Sequence, residues 1–365
     1  MISHIVNGSY TSTITSTTKS TGKILYLPIN KSHFELSLIM AESSKFKSLI
    51  YAANFELKVK DFLIKHPETE THFVLNRDSV AGILMDIDKV VIFMGFVLPF
   101  LPKDINDIVM ACLKVNKPLV EVPHGMYQTG YHLIDDSKII DTRSHFYGFG
   151  GSLPSFSSLK LSWSGSDGFG YPRTVKRNTY IDRVLPQFTL ITSNTNWYLY
   201  SIADKRNFYK HVFDYARANP DKIFVWCAHP AELSEGTFSY TALKFRPRNV
   251  YLYGIDNDIY FNGLEGTDDL IPYCQYGIST VSTCLLDYEI HNKRVNIFYC
   301  DGVHELTTQF SEKSLFTNSS QISVNAAFVK TGQLKEFDVN ILDSGLESAV
   351  GMNSEVSHHY LTSFI

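Results

Sequence analysis

The chain has little with which to bind a metal, cross a membrane or attract nucleic acid. Its five cysteines are Cys112, Cys227, Cys274, Cys284 and Cys300, and no two stand at CxxC spacing. That argues against a zinc or redox motif. The odd count, with no basic region and apolar core at the N-terminus, favours a reducing compartment. The expected location is therefore the cytoplasm. The most apolar run, residues 90–101, is too short for a bilayer span and contains Pro99. It reads instead as a buried central strand with the loop that follows. A formal net charge of -4 leaves no global case for nucleic-acid binding. No short-period repeat is visible. Gly148-Phe149-Gly150-Gly151 is not a dinucleotide fingerprint, because no strand–turn–helix unit frames it.

What the chain has is the composition of an ordinary soluble protein, and its 365 residues suffice for two domains. Residues 1–22 are rich in Ser and Thr with little to bury, and read as a flexible leader or an edge extension. From Lys23 onward strands and helices alternate. Strands are expected at 23–29, 48–53, 73–75, 89–97 and 118–122, and helices at 32–46, 55–65 and 104–115. After an irregular stretch at 144–173, strands are expected at 189–193, 223–228, 250–253, 276–280 and 295–299. Helices are expected at 201–218 and 268–274, and a helix opening at Ser282-Thr283. Such alternation implies parallel sheets with helices on both faces. The expected division is a 1–22 leader, an N-terminal domain at 23–180 and a C-terminal domain at 181–365. The Gly-, Ser- and aromatic-rich stretch at 144–173 suits functional loops or an interdomain passage.

Three places combine a strand end with polar chemistry. In Val120-Glu121-Val122-Pro123-His124-Gly125 an apolar strand runs into a histidine. Ligands of open α/β sheets bind beyond the carboxyl ends of strands, where His124 would stand. A neutral imidazole there can accept a proton from an attacking hydroxyl, and Gly125 permits close approach of a ligand. A loop histidine bonded to backbone is the plain alternative. In Phe224-Val225-Trp226-Cys227-Ala228-His229-Pro230-Ala231-Glu232 a second strand ends in histidine. Proline holds the preceding residue extended, so His229 either meets a diphosphate or marks an ordinary turn. In Thr280-Val281-Ser282-Thr283 a strand ends in a hydroxyl pair at a helix start. Unpartnered N–H groups and the helix dipole favour a phosphate there, although Ser and Thr also cap helices everywhere. Asp287, one turn beyond Thr283, shares its helix face.

Weaker candidates complete the set. Ser193 and Asn194 follow the first strand of the second half and suit a leaving phosphate or a plain loop. Asp86-Ile87-Asp88 and Asp256-Asn257-Asp258 match a metal–phosphate pattern, or are turns and solvated acids. Arg173, Lys176, Arg177 and Arg183 suit anionic headgroups, a phosphorylated acceptor or a solvated linker.

In their order, these segments resemble the CDP-glycerol glycerophosphotransferase-like enzymes of teichoic-acid and capsule synthesis, which share the GT-B fold. The resemblance rests on His124-Gly125, His229-Pro230, and the run Ser282, Thr283, Asp287, Tyr288, Asn292, Lys293, Phe298 and Asp301. It implies an α/β protein with two Rossmann-like domains facing across a cleft. It also implies a metal-independent transferase that uses a nucleotide-activated donor and needs no other cofactor. His124 and His229 would be catalytic. Ser282, Thr283, Asp287, Ser193, Asn194 and Glu232 would bind the donor. Gly125, Tyr127, Asp167 and Arg173 would serve the acceptor, a glycan or lipid-linked glycan of capsule, O-antigen or other surface polysaccharide at the inner membrane face. The chain departs from the family after His124, at Cys227-Ala228 before His229-Pro230, and at Arg294 where proline is usual. The expected reaction is therefore glycosyl transfer. The alternatives are CDP-polyol phosphotransfer, nucleotide-sugar epimerisation and a non-catalytic binding scaffold.

Overall fold

The computed structural model describes residues 4–6, 9–11, 22–93, 102–115, 117, 119–121, 129–135, 138–143, 184–194, 200–234, 236–256, 261, 263–264, 266–307 and 310–329. Two compact units divide the chain. One comprises Met1–Arg173 with Leu334–Ile365, and the other Thr174–Gln333.

The first unit opens with two three-residue strands, β1 (His4–Val6) and β2 (Ser9–Thr11). The expected alternation follows as β3 (Lys23–Leu27), α1 (Lys31–Ser43), β4 (Lys47–Tyr51), α2 (Glu56–Lys65), β5 (His72–Val74), α3 (Arg77–Ile83), β6 (Lys89–Ile92), α4 (Lys103–Lys114) and β7 (Leu119–Glu121). A separate hairpin pairs β8 (Thr129–Asp135) with β9 (Lys138–Arg143). The sheet order is β1-β2-β5-β4-β3-β6-β7. β3 to β7 are mutually parallel, and β1 and β2 extend the β5 edge in antiparallel fashion. Of the 1–22 stretch, the described residues His4–Val6 and Ser9–Thr11 lie on the edge of this sheet. The five parallel strands, counted along the chain, lie in the order third, second, first, fourth, fifth.

Both faces of a parallel sheet are covered by its crossover helices, so its strands bury on both sides. Ile24, Leu25, Ile50, Phe73, Val90 and Val91 are accordingly fully buried. Ile105, Ile108 and Val109 of α4 close one side of that core at helical spacing. Each such side chain contributes about 1.5–3 kcal/mol by leaving water.

The second unit repeats the pattern. It comprises β10 (Phe188–Thr192), α5 (Ile202–Ala218), β11 (Ile223–Cys227), α6 (Phe238–Lys244), β12 (Val250–Leu252), α7 (Thr267–Leu270), β13 (Tyr276–Ser279), α8 (Cys284–Ile290), β14 (Arg294–Phe298), α9 (His304–Thr307), β15 (Leu315–Phe316) and β16 (Ala327–Phe328). The strand order is β12-β11-β10-β13-β14-β15, all parallel, with β16 antiparallel on β14. Counted along the chain, that is third, second, first, fourth, fifth, sixth, the doubly wound order of a Rossmann-like sheet. Trp226 of β11 is fully buried against Phe208, Tyr209 and Phe213 of α5, with Tyr209 stacked on it at 4.8 Å.

Some local expectations needed revision. The helix expected at 268–274 is α7 followed by a 3-10 turn, Ile271–Tyr273. Pro272 has no N–H to continue an α-helix. Neither α3 nor α6 was expected, and residues after 311 contribute β15 and β16 to the sheet. No helix among the described residues is long and apolar enough to cross a membrane.

Candidate functional site

In a doubly wound sheet the strand order reverses at one point. The crossovers leave in opposite directions there, opening a crevice beyond the carboxyl ends. In the second unit this switch point lies between β10 and β13. β10 runs out into Ser193-Asn194, and β13 into Thr280-Val281-Ser282-Thr283. The two chain ends stay tied past the last ladder pair, Thr192↔Ser279. Thr192 Oγ1 donates to Ser279 Oγ at 2.8 Å, and the Asn194 N–H donates to Thr280 Oγ1 at 2.9 Å. The N–H of Val281 donates to the buried hydroxyl of Tyr200 at 2.6 Å.

Beneath this floor, β13 and α8 meet closely. A Cβ on Gly277 would lie 2.5 Å from the ring of Tyr288, which is completely buried. Glycine here lets the α8 ring seat directly on the strand. This packing fixes how α8 leaves β13, and with it the position of Ser282 and Thr283.

The turn into α8 differs from a helix-capping pair. Thr283 stands at the cap position with helical angles (φ -60, ψ -26) and makes no side-chain capping bond. Ser282 Oγ is 3.5 Å from the Cys284 nitrogen, too long for a firm cap. The first-turn N–H groups of Leu285 and Leu286 donate instead to the carbonyls of Ser282 and Thr283, at 3.1 and 3.0 Å. The expected cradle of helix N–H groups is therefore corrected. α8 has seven residues and its first turn is closed by 3-10 bonds, so the half-buried hydroxyls are what this turn offers a ligand. The other helix start at the switch point, α5, is occupied by its own acid. Asp204 and Ser201 form a reciprocal capping box, with the Ser201 N–H donating to Asp204 Oδ2 at 2.9 Å. A carboxylate at that position repels a phosphate.

On the neighbouring strand, β11 ends at Cys227 and His229 caps a 3-10 turn, Pro230–Leu233. His229 Nδ1 accepts the Ala231 N–H at 3.2 Å. A ring nitrogen that accepts carries no proton, so the proton of the neutral ring sits on Nε2. Desolvation by the surrounding protein lowers the His229 pKa, which favours that neutral form. The exposed ring is thus a hydrogen-bond donor through Nε2.

Glu232 sits behind this turn and is only 3 % exposed. Its Oε2 accepts from Ser193 Oγ at 2.5 Å and from the His229 N–H at 3.0 Å. Its Oε1 accepts from the Tyr209 hydroxyl at 3.0 Å. Ser193 Oγ in turn accepts from Trp226 Nε1 at 2.9 Å. Burial raises the Glu232 pKa, and these donors together with nearby Lys205 oppose the shift. Ser193 and Glu232 were expected to bind the nucleotide donor directly. Both lie inside a closed network instead, so their role is behind the ligand surface. Asp287 is also buried, at 7 % exposure, and does not display its carboxylate at the surface.

The remaining candidates separate. His124, Gly125, Tyr127, Asp167 and Arg173 lie outside the described residues, and β7 ends three residues before His124. Asp86 and Asp88 precede β6, at the amino edge of the first sheet, with the Lys23 N–H donating to Asp88 at 2.6 Å. That is the edge opposite to ligand binding. Asp256 clamps a turn through Arg246 and the Leu252 N–H.

No protein-family model matches the chain, and no curated protein matches its sequence. Solved structures resemble it distantly. S. aureus MnaA, solved with UDP, is 10% identical over 82% of this chain and 85% of its own, with a TM-score of 0.48. UDP-GlcNAc 2-epimerase from Methanocaldococcus jannaschii, in complex with UDP-GlcNAc and UDP, is 11% identical over 87% of this chain and 96% of its own, with a TM-score of 0.47. The glycosyltransferase SnogD from Streptomyces nogalater is 13% identical over 95% of this chain and 100% of its own, at 0.38. Likeness at these scores carries no argument, and the Rossmann-like description rests on the strand order itself. The expected kinship with CDP-glycerol glycerophosphotransferase-like enzymes has no family match behind it.

Proposed function

We propose that the protein is a nucleotide-sugar enzyme of the GT-B type, whose second unit holds the diphosphate of the sugar nucleotide at the carboxyl edge of its sheet. The observation that carries this reading is the switch point between β10 and β13, where the backbone beyond β13 leads to Ser282 and Thr283 and the neighbouring strand β11 leads to His229. Hydroxyls and an imidazole N–H are hydrogen-bond donors suited to phosphate oxygens. Preorganised donors of this kind stabilise charge that develops on a departing diphosphate without needing to reorient. His229 would donate through Nε2, and Ser282 and Thr283 through their hydroxyls. His124 would be the base or acceptor-binding group, with Gly125, Tyr127, Asp167 and Arg173 on the acceptor side.

Two reactions use such a site. Glycosyl transfer delivers the sugar to a glycan acceptor, in surface-polysaccharide synthesis at the inner membrane face. Epimerisation rearranges the sugar nucleotide itself and needs no acceptor. UDP-GlcNAc, with CDP-, GDP- and CMP-linked sugars beside it, serves as the first probe. Incubation with the sugar nucleotide alone, followed by product analysis, separates the two. A new sugar nucleotide formed without acceptor supports epimerisation. Turnover that appears only when a glycan is added supports transfer. No binding of any UDP-, CDP-, GDP- or CMP-linked sugar would overturn the nucleotide reading.

A further inference from the structure

We infer that Glu232 is a positioning residue that fixes which ring nitrogen of His229 carries the proton. The inference deepens the proposed function, because it concerns how the same site is held ready. Two bonds at this turn bear on the state of the imidazole. Glu232 Oε2 accepts the His229 N–H at 3.0 Å, which holds the backbone at the strand end. The turn so formed brings the Ala231 N–H to His229 Nδ1 at 3.2 Å, which keeps Nδ1 unprotonated. The ring proton is thereby left on Nε2.

The carboxylate is itself held from three sides. Ser193 at the end of β10, Tyr209 of α5 and the His229 backbone all donate to it. Trp226 Nε1 orients Ser193, and the Tyr209 ring stacks on Trp226 at 4.8 Å with planes 12° apart. These partners lie up to 39 residues from Glu232 along the chain. A turn that needed only a helix-type cap would not require a buried carboxylate, since Ser, Thr or Asp at the cap position suffices. Burying a charge is costly unless it is fully bonded. Here every donor is in place, and the position that benefits is the single exposed imidazole at that strand end.

The test reads the ring directly. Nitrogen NMR of His229 in the intact protein distinguishes the two neutral tautomers by their shifts. The wild-type ring is expected as the Nε2–H tautomer. Glu232→Gln keeps one side-chain oxygen as an acceptor and is expected to retain most of that population. Glu232→Ala is expected to mix the tautomers and to weaken UDP binding by about tenfold, the loss of one or two good hydrogen bonds. Should Glu232→Ala fail to fold, Ser193→Ala removes a single donor to the carboxylate and is expected to show the same change on a smaller scale. Unchanged His229 shifts in whichever of the two variants folds would overturn the inference. The readout also separates the two proposals. A tautomer change in a protein that binds no nucleotide would leave the positioning role standing and refute the nucleotide site. Nucleotide binding with an unaffected tautomer would do the reverse.

Discussion

Substitution of Gly277 by alanine tests whether the floor of the site is built as described. Gly277 has no positive φ, so alanine is conformationally acceptable there. In an unobstructed position, Gly→Ala stabilises by about 0.4–1 kcal/mol through the unfolded chain. Here the new methyl would meet Tyr288 at 2.5 Å from Cε1 and Cζ and 2.7 Å from the hydroxyl. The obstacle is a ring with no exposed surface, seated between β13 and α8, so it cannot swing into solvent. Overpacking of this sort costs about 1–3 kcal/mol. For a unit of about 160 residues, each kcal/mol moves the melting temperature by roughly 2–4 °C. Gly277→Ala should therefore lower the melting temperature by several degrees, measured by calorimetry. In a Tyr288→Leu background the same substitution should be neutral or stabilising, because the ring is gone. The difference between the two backgrounds isolates the contact. Equal cost in both backgrounds, or no cost in either, would refute the seating of Tyr288 on Gly277.

Two further outcomes are expected. Desolvation by the protein around it lowers the pKa of the solvent-facing His229 below its ordinary 6.5, so its contribution to stability is fully present above that value and is lost as the pH falls through the folded-state value. Comparing wild type with His229→Gln from pH 8 to 5, the wild-type advantage should shrink on the acid side; an advantage that grows there would contradict the shift. Burial also pushes Cys227 and Cys274 up to about 12 and Cys112 and Cys300 up to about 11. These four should resist a thiol reagent at pH 8 until the protein unfolds, and rapid labelling of any one in the native state would count against its burial.

The parts of the fold that depend on local pattern were legible in the sequence. Phe188–Thr192 carries Phe, Leu and Ile, and Arg294–Phe298 carries Val, Ile and Phe, and both strands appear within one residue of expectation. The short helices were missed because seven residues give too little periodicity to see. Their caps were readable signals nonetheless: Asn76 accepts from the Ser79 N–H before α3, and Thr237 from the Tyr240 N–H before α6. The strand order was not legible, since it depends on pairing between distant segments such as β10 and β13. That order is what brings Ser193 to Glu232 and Asn194 to Thr280, contacts spanning 39 and 86 residues. The same distance effect misassigned Glu232. The resemblance put it among the donor-binding residues, whereas its partners at Ser193 and Tyr209 place it inside the unit.

The most direct test of the central claim is titration calorimetry of UDP-GlcNAc, and of the corresponding CDP-, GDP- and CMP-linked sugars, against wild type and a Ser282→Ala/Thr283→Ala double variant. The wild type should bind at least one of these sugar nucleotides. The double variant should keep its melting temperature and lose at least about tenfold in affinity, the value of one charge-assisted hydrogen bond. Undiminished affinity in the double variant would contradict the placement of the diphosphate at the β13–α8 turn.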